Sequence, residues 1–344
     1  MTTLIVTIPA YNERSTIAEV IGQIPRHIPG INNVQVLVFD DGSTDGTGEI
    51  AHQAGADVIL AHRRNKGLAI TFRECLDAAL ALGADIIVNT DADNHYDQTR
   101  IPQLVEPILS GTADIVIGSR DLNGLREMGR ARKWGNRIAN FLFSFLYGLP
   151  AGTDVSSGFR AYSREAALRL TVTSRYTYTH ETLIAARDHG LTIVSRLLPA
   201  RDVSRPSRLM SSVGSHILRA GSMAVLSFVV HRLFRILALV SGLLVLAGAA
   251  AFVRFLFFYF SSGGAGHIQS LIAGSLLIIL GIQLLIGSFF AAGLAKNRQL
   301  MEEIIYQQRR QNHQPGSPLG QRDADRPDRE MVPPELTLPI KKLQ

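Results

Sequence analysis

A chain of 344 residues can hold one large domain with an appendage, or two ordinary domains. Its single cysteine, Cys75, excludes an internal disulfide and a cysteine-rich zinc site. The net charge of +6 does not point to nucleic acid as a partner, because the basic residues do not interleave with aromatic residues in a nucleic-acid motif.

Apolar residues make up 46% of the chain and concentrate between positions 236 and 294. Basic residues flank that stretch, where anionic lipid headgroups are the fitting partner. Cys75 sits at helical spacing with Phe72, Leu76 and Ala79, the place of a small core residue. The first nine residues reach strand-like sequence without a charged, then apolar, then small-residue leader, which leaves everything ahead of the apolar runs in the cytoplasm.

In chain order, residues 4–8 form a β-rich run closed by Pro9. Ile17, Val20, Ile21 and Ile24 then recur at helical spacing behind a Thr16-x-x-Glu19 capping box. Residues 34–39 make a second buried strand, followed by Asp40-Asp41-Gly42-Ser43-Thr44-Asp45-Gly46-Thr47 and a helix to about Ala54. A third strand covers 58–61, a long helix 67–82, a fourth strand 85–90, a helix 101–109 and a fifth strand 114–119. Near-continuous apolar strands alternating with amphipathic helices predict an α/β fold, a mostly parallel sheet covered on both faces. Ligands of such sheets bind beyond the carboxyl ends of the strands, where Asp40, Asp41, Asp91, Asp93 and Arg120 fall.

Beyond Arg120 the alternation breaks. Residues 121–133 read as a mobile polar loop with Arg126, Arg130, Arg132 and Lys133; 154–160 read as a turn-rich link. Helices at about 164–170 and 180–190 and a last strand at 191–198 complete a first domain, 1–210. Residues 211–235 mix apolar residues with arginine and histidine, as a helix lying at a membrane surface does. The runs 236–260 and 270–295 are each long enough to cross a hydrocarbon core of ~30 Å. Arginine is plentiful before this hairpin, Lys296 and Arg298 follow it, and the turn between has no charge. The positive-inside rule then predicts a two-pass protein of the cell membrane with the first domain and both termini cytoplasmic. The tail, 296–344, extends the second helix to about residue 311 and is otherwise disordered, and the anchor leaves room for helix packing in a homo-oligomer.

The chemistry centres on Asn89-Thr90-Asp91-Ala92-Asp93-Asn94-His95. Two carboxylates one residue apart at the end of a buried strand repel each other unless one takes a proton or both share a cation. Oxygen ligands favour Mg²⁺ or Mn²⁺. Taken alone, the stretch is equally an acidic turn capping the next helix.

There is no Gly-x-Gly-x-x-Gly after the first strand and no Gly-Lys-Ser/Thr phosphate loop, which argues against a dinucleotide enzyme or a P-loop NTPase. Present in order are Pro9-Ala10-Tyr11-Asn12-Glu13, the Asp40 to Thr47 stretch, Asp91-Ala92-Asp93, Gly118-Ser119-Arg120 and Ser157-Gly158-Phe159-Arg160. Together these resemble the family 2 glycosyltransferases of GT-A fold, and more closely their dolichyl-phosphate mannose synthase and polyprenyl-phosphate glycosyltransferase branch, over roughly residues 4 to 210.

That resemblance implies a Rossmann-like GT-A domain followed by a membrane hairpin, and inverting transfer of a sugar from a GDP-mannose- or UDP-glucose-type donor to a polyprenyl phosphate in the bilayer. It implies a divalent cation on Asp91 and Asp93, with His95 at the position of a further ligand, where dolichyl-phosphate mannose synthases typically carry glutamine. It implies donor contacts from Pro9, Tyr11, Glu13, Asp40, Asp41 and Asp91, and places Asp91, Asp93 and Arg120 at the reaction. Acceptor phosphate falls to Arg120, Arg160, Arg205, Ser207 and Arg208, the last three resembling the branch's Ser-Lys/Arg-Leu ending.

An ionised lipid phosphate needs no general base. A hydroxyl acceptor, of the diacylglycerol type, would need one, with Glu181 or Asp154 as candidates. A non-catalytic membrane-anchored nucleotide-binding partner is the alternative outside enzymes, and a sugar-nucleotide pyrophosphorylase is disfavoured by the absence of its glycine-rich first loop. The chain departs from the family at Asn65-Lys66-Gly67-Leu68-Ala69 and at Cys75, where a glycine is common.

Overall fold

The structure, a computed structural model, describes residues 1–120, 140–141, 143–145, 147–150, 152–172, 178–199, 213–262 and 268–313, without the side chains of 213–233 and 262. It divides into two compact units, residues Met1–Ile217 with Ile305–Gln344, and Leu218–Ile304.

The first unit is built on a seven-stranded sheet. Its strands are β1 (Thr3–Ala10), β2 (Asn33–Asp40), β3 (Val58–Ala61), β4 (Ile86–Asn89), β5 (Ile115–Arg120), β6 (Arg160–Ser163) and β7 (Ile193–Leu198). They lie in the order β3-β2-β1-β4-β6-β5-β7, and only β6 runs against its neighbours. Strand residues alternate between faces. Leu4, Val6 and Ile8 join Val36, Val38 and Val88 in one core under α1 (Ile17–Gly22) and α4 (Ile101–Leu109). α3 (Leu68–Ala81) covers the other face of β1 and β2 with its buried Phe72, Leu76 and Leu80. The short α2 (Thr47–Gln53), α5 (Arg164–Arg169) and α6 (Thr179–Asp188) also belong to the unit.

Because β1, β2, β3, β4, β5 and β7 run parallel, their carboxyl ends share one edge. β6 enters at that edge, with Arg160 opposite both Asn89 and Ile117. The antiparallel strand thereby delivers the preceding loop, 154–159, to the end of β4.

Two local expectations are corrected. The turn-rich link expected over 154–160 gives way at Arg160 to this strand, with β4 and β5 supplying partners on both sides. The capping box at α1 does not form: Thr16 makes no side-chain cap and its hydroxyl bonds Glu13, while Glu19 takes the Gln23 amide at 2.9 Å.

The second unit contains most of two long helices, α7 (Val213–Ser262) and α8 (Ile268–Asn312). α7 runs unbroken through the boundary expected near residue 235, because nothing in the sequence there interrupts its backbone ladder. Phe234–Ser261 and Ile268–Asn312 are candidate membrane spans with mean hydropathies of 2.6 and 2.3 in their most apolar windows. Their bulky side chains face outward, as at Leu239, 68% exposed, and their small ones face each other. Ser241 donates to the Gly281 carbonyl at 2.8 Å, and a Cβ at Gly248 would lie 2.8 Å from the Gly274 carbonyl oxygen. Contacts repeating at seven-residue spacing bring the two backbones together where hydrophobic burial offers little drive.

Candidate active site

Two loops meet beyond β1 and β2. Asn12, held at φ 54°, donates its N–H to Ser43 Oγ at 2.9 Å and accepts from Thr44 N–H at 2.9 Å. Glu13 N–H reaches Thr47 Oγ1 at 2.9 Å. Pro9 lies within β1, Tyr11 is 43% exposed beside the junction, and Asp40 accepts from Ser43 N–H at 2.8 Å, the turn-capping role of an aspartate.

Asp41 is buried and fully engaged. It accepts from the N–H groups of Lys66 and Gly67, each at 2.8 Å, and pairs with His62 Nδ1 at 2.7 Å. His62 Nε2 in turn lies 2.6 Å from Glu74 Oε2 on α3. Burial alone would raise the Asp41 pKa, but the His62 contact and the two N–H bonds outweigh it and hold the carboxyl below its ordinary value. Burial alone would lower that of His62, but two flanking carboxylates push it up to about 9, so the imidazole is charged at neutral pH. The sequence reading missed His62, whose partners lie 21 and 12 residues away.

The acidic pair is the opposite case. The chain leaves β4, turns at Ala92 and Asp93 and passes through Asn94 at φ 60°, so the pair does not continue the strand. Asp91, Asp93 and His95 still share the more exposed side, with Ala92, Asn94 and Tyr96 buried between them. Asp91 makes no hydrogen bond among the described residues. Burial, and then the charge of Asp93, push its pKa up to about 7 against the pull of Arg120 and His95.

Gly158 is what admits the Asp91 carboxylate. A Cβ there would lie 2.6 Å from Asp91 Oδ1 and 2.8 Å from Tyr178 Oη. Asn89 holds this corner by donating to Gly158 O at 2.9 Å and Tyr178 Oη at 3.0 Å, and Gly158 N–H donates to Tyr96 Oη at 3.0 Å.

A half-buried carboxylate with no hydrogen bond among the described residues, beside a second carboxylate, fits a hard divalent cation. The three-ligand set is corrected: among the described residues no three His, Cys, Asp or Glu side chains converge on a common point. His95 Nδ1 instead lies 2.9 Å from Asp93 Oδ2, and that contact raises the histidine's pKa. The carboxylates that could hold a cation are Asp91 and Asp93.

Arg120 donates from Nε to Asp154 Oδ2 and from Nη2 to Ser156 Oγ, both at 2.7 Å. The ion pair outweighs the upward push of burial and keeps Asp154 below its ordinary pKa, unfit to accept a proton as a base. Nη1 of Arg120 is uncommitted among the described residues.

Arg160 is corrected as an acceptor ligand. It is fully buried, and it donates to Ser157 O, Thr179 O, Thr182 Oγ1 and Val155 O at 2.8 to 2.9 Å. It braces the loop that carries Gly158 and has no access to a ligand. Arg205, Ser207, Arg208 and the loop 121–133 lie outside the described residues.

A mixed α/β sheet with its loops and an acidic pair gathered at one edge is a GT-A-type domain. Residues 5–171 match the Glycosyl transferase family 2 model. Polyprenol monophosphomannose synthase of Mycolicibacterium smegmatis is 31% identical over 231 residues, 63% of this chain and 83% of that protein. Dolichyl-phosphate hexose transferase of Haloferax volcanii is 32% identical over 206 residues, 60% of this chain and 86% of that protein. Glucosyl-3-phosphoglycerate synthase of Mycobacterium tuberculosis, solved with Mn²⁺, UDP-glucose and phosphoglyceric acid, aligns at a TM-score of 0.50 and 25% identity, over 64% of this chain and 78% of that one. The chain belongs to glycosyl transferase family 2, and the two named relatives place it beside the polyprenyl-phosphate branch.

Proposed function

We propose that this protein is a membrane-anchored hexosyltransferase that moves a sugar from a nucleotide-sugar donor, of the GDP-mannose or UDP-glucose type, to a polyprenyl phosphate, inverting the anomeric centre in one displacement. The observation that carries the reading is Asp91, a half-buried carboxylate beside Asp93 with no hydrogen bond among the described residues. A divalent cation held there would stabilise the charge left on the departing diphosphate as a Lewis acid. Mg²⁺ completes such sites with substrate phosphate and water, so two protein carboxylates suffice. The Mn²⁺ in the aligned synthase supports a divalent metal.

The knitted loops of Asn12, Ser43 and Thr47 form the floor on which the nucleotide rests, with Pro9, Tyr11, Glu13, Asp40 and Asp41 around it. Arg120, fixed by Asp154, turns to phosphate the edge left uncommitted among the described residues. The acceptor is supported by the substrates in the relatives' names and by the locked state of Asp154, since an ionised phosphate attacks without a base. Two apolar helices would keep the enzyme where a polyprenyl lipid resides, with catalytic domain and both termini on the cytoplasmic side.

Purified full-length protein, given undecaprenyl or dolichyl phosphate and a panel of nucleotide sugars, is expected to release nucleoside diphosphate only with Mg²⁺ or Mn²⁺. Asp93→Ala should lower that release by about 10³-fold, the scale of losing charge stabilisation at a developing oxyanion. Equal turnover by this variant, or transfer to diacylglycerol with lipid phosphate ignored, would overturn the reading.

A further inference from the structure

The second long helix does not end as a solvated tail. Tyr306, Arg309 and His313, spaced to share one helix face, meet the flank of the first unit formed by α3 and α5. Tyr306, 5% exposed, donates its hydroxyl to Glu165 Oε1 at 3.0 Å, and the Arg169 guanidinium lies 4.1 Å over its ring.

The helix ends also cap each other. Arg309 donates to the carbonyl of Leu170, the residue closing α5, at 2.7 Å, and its other terminal nitrogen lies 3.1 Å from Asp77 on α3. Arg164, the first residue of α5, donates to the carbonyl of His313 beyond the last turn of α8, and to Ala84 O at 2.7 Å. Carbonyls left over at both helix ends thus receive an arginine from the opposite element.

We infer that residues 305–313 are an integral part of the catalytic domain's fold, docked on the face made by Asp77, Arg164, Glu165, Arg169 and Leu170. The domain is therefore tied to the apolar hairpin twice, once through the chain entering α7 and once through the end of α8. Both chain connections to the hairpin are then anchored in the catalytic domain's own fold, and loosening the second is expected to act on use of the lipid acceptor. The docking stands on contacts alone; its effect on catalysis rests on the proposed lipid-phosphate acceptor.

The test uses full-length protein in sealed vesicles and in nanodiscs. In a Cys75→Ala background, His313→Cys and Glu49→Cys, an exposed position on the catalytic domain, are expected to react with a membrane-impermeant maleimide from the same side; labelling from opposite sides overturns the proposal. Tyr306→Ala with Arg309→Ala should speed amide exchange across residues 164–170 by at least tenfold, and Tyr306→Phe, which keeps the ring, by less. Gln308→Ala, on the exposed face of the same turn, should leave exchange unchanged. Unaltered exchange in the double variant would overturn the docking whatever the enzyme's substrate. In nanodiscs the double variant should raise KM for undecaprenyl phosphate about fivefold with the donor KM unmoved. An unmoved acceptor KM beside altered exchange would overturn only the effect on the acceptor.

Discussion

Asp41 and Asp91 follow the two strands that flank β1, at the same edge of one sheet, and their surroundings are opposite. Asp41 has two backbone N–H donors and a charged histidine, and is held ionised. Asp91 is half-buried beside another acid, has no hydrogen bond among the described residues, and has its pKa pushed up to about 7. One carboxylate is satisfied by the protein and serves to fix loops. The other has no such bond among the described residues and sits beside a like charge, a cost in stability at the place where the proposed cation would bind.

The largest effect should come from erasing that difference. Asp91→Asn removes the repulsion with Asp93, so metal-free protein is expected to melt higher, by about 1 kcal/mol or some 2–4 °C. Turnover should fall by about 10³-fold, and the rise in melting temperature on adding Mn²⁺ should vanish. Gly158→Ala reaches the same carboxylate through space. Its Cβ would sit 2.6 Å from Asp91 Oδ1, and a displacement of order 1 Å costs about 10²-fold in rate. Differential scanning fluorimetry with and without Mn²⁺, beside initial rates, reads both variants. A Gly158→Ala enzyme with full activity would show that the position of Asp91 is immaterial.

The parallel part of the fold was legible because its strands are unbroken apolar runs ending in Asp40, Asn89 and Arg120. β6 was not. Arg160-Ala161-Tyr162-Ser163 has a weak strand signature and exists through pairing with β4 and β5, a tertiary effect that local sequence does not carry. For the same reason Arg160 read as a phosphate ligand: nothing local tells that four oxygen acceptors from a loop and a helix will surround it. The acidic pair was legible as a pair, while the space that holds it, made by Gly158 with Tyr96 and Tyr178, is assembled from distant segments. His62 was hidden likewise, since Asp41 and Glu74 meet it only once β2, β3 and α3 are packed.

On the satisfied side the expected losses are in stability. His62→Gln leaves Asp41 and Glu74 without their cation and should cost about 3 kcal/mol, the scale of breaking a buried ion pair, with the donor KM raised a few-fold and the Mn²⁺ response kept. The His62 pKa is raised above the 6.5 expected in the unfolded chain, so its contribution is fully present below pH 6.5 and is lost as pH rises through about 9. Asp41 is depressed, so its share is lost only as pH falls below the ordinary carboxylate range. Wild-type protein should therefore melt progressively lower from pH 7 to 10, and His62→Gln should lack that decline. Parallel curves for the two proteins would remove the charged histidine from the account.

The smallest effect is expected at Glu181, and it separates the two kinds of acceptor. Of the two carboxylates that a hydroxyl acceptor could recruit as a base, Asp154 is held by Arg120 and Ser156 and kept ionised below the ordinary range. That leaves Glu181, in the first turn of α6, where an acidic side chain favours the helix N-terminus by about 0.3–1 kcal/mol. If the nucleophile is a phosphate oxygen, already ionised near neutral pH, no group needs to take a proton from it. Glu181→Gln should then keep turnover within about threefold of wild type, since losing an aligned general base typically costs 10²–10⁴-fold, and should lower the melting temperature by no more than about 1–3 °C. A near-complete loss of transfer in a variant that still melts cooperatively and still responds to Mn²⁺ would instead assign Glu181 as the base and make the acceptor a hydroxyl.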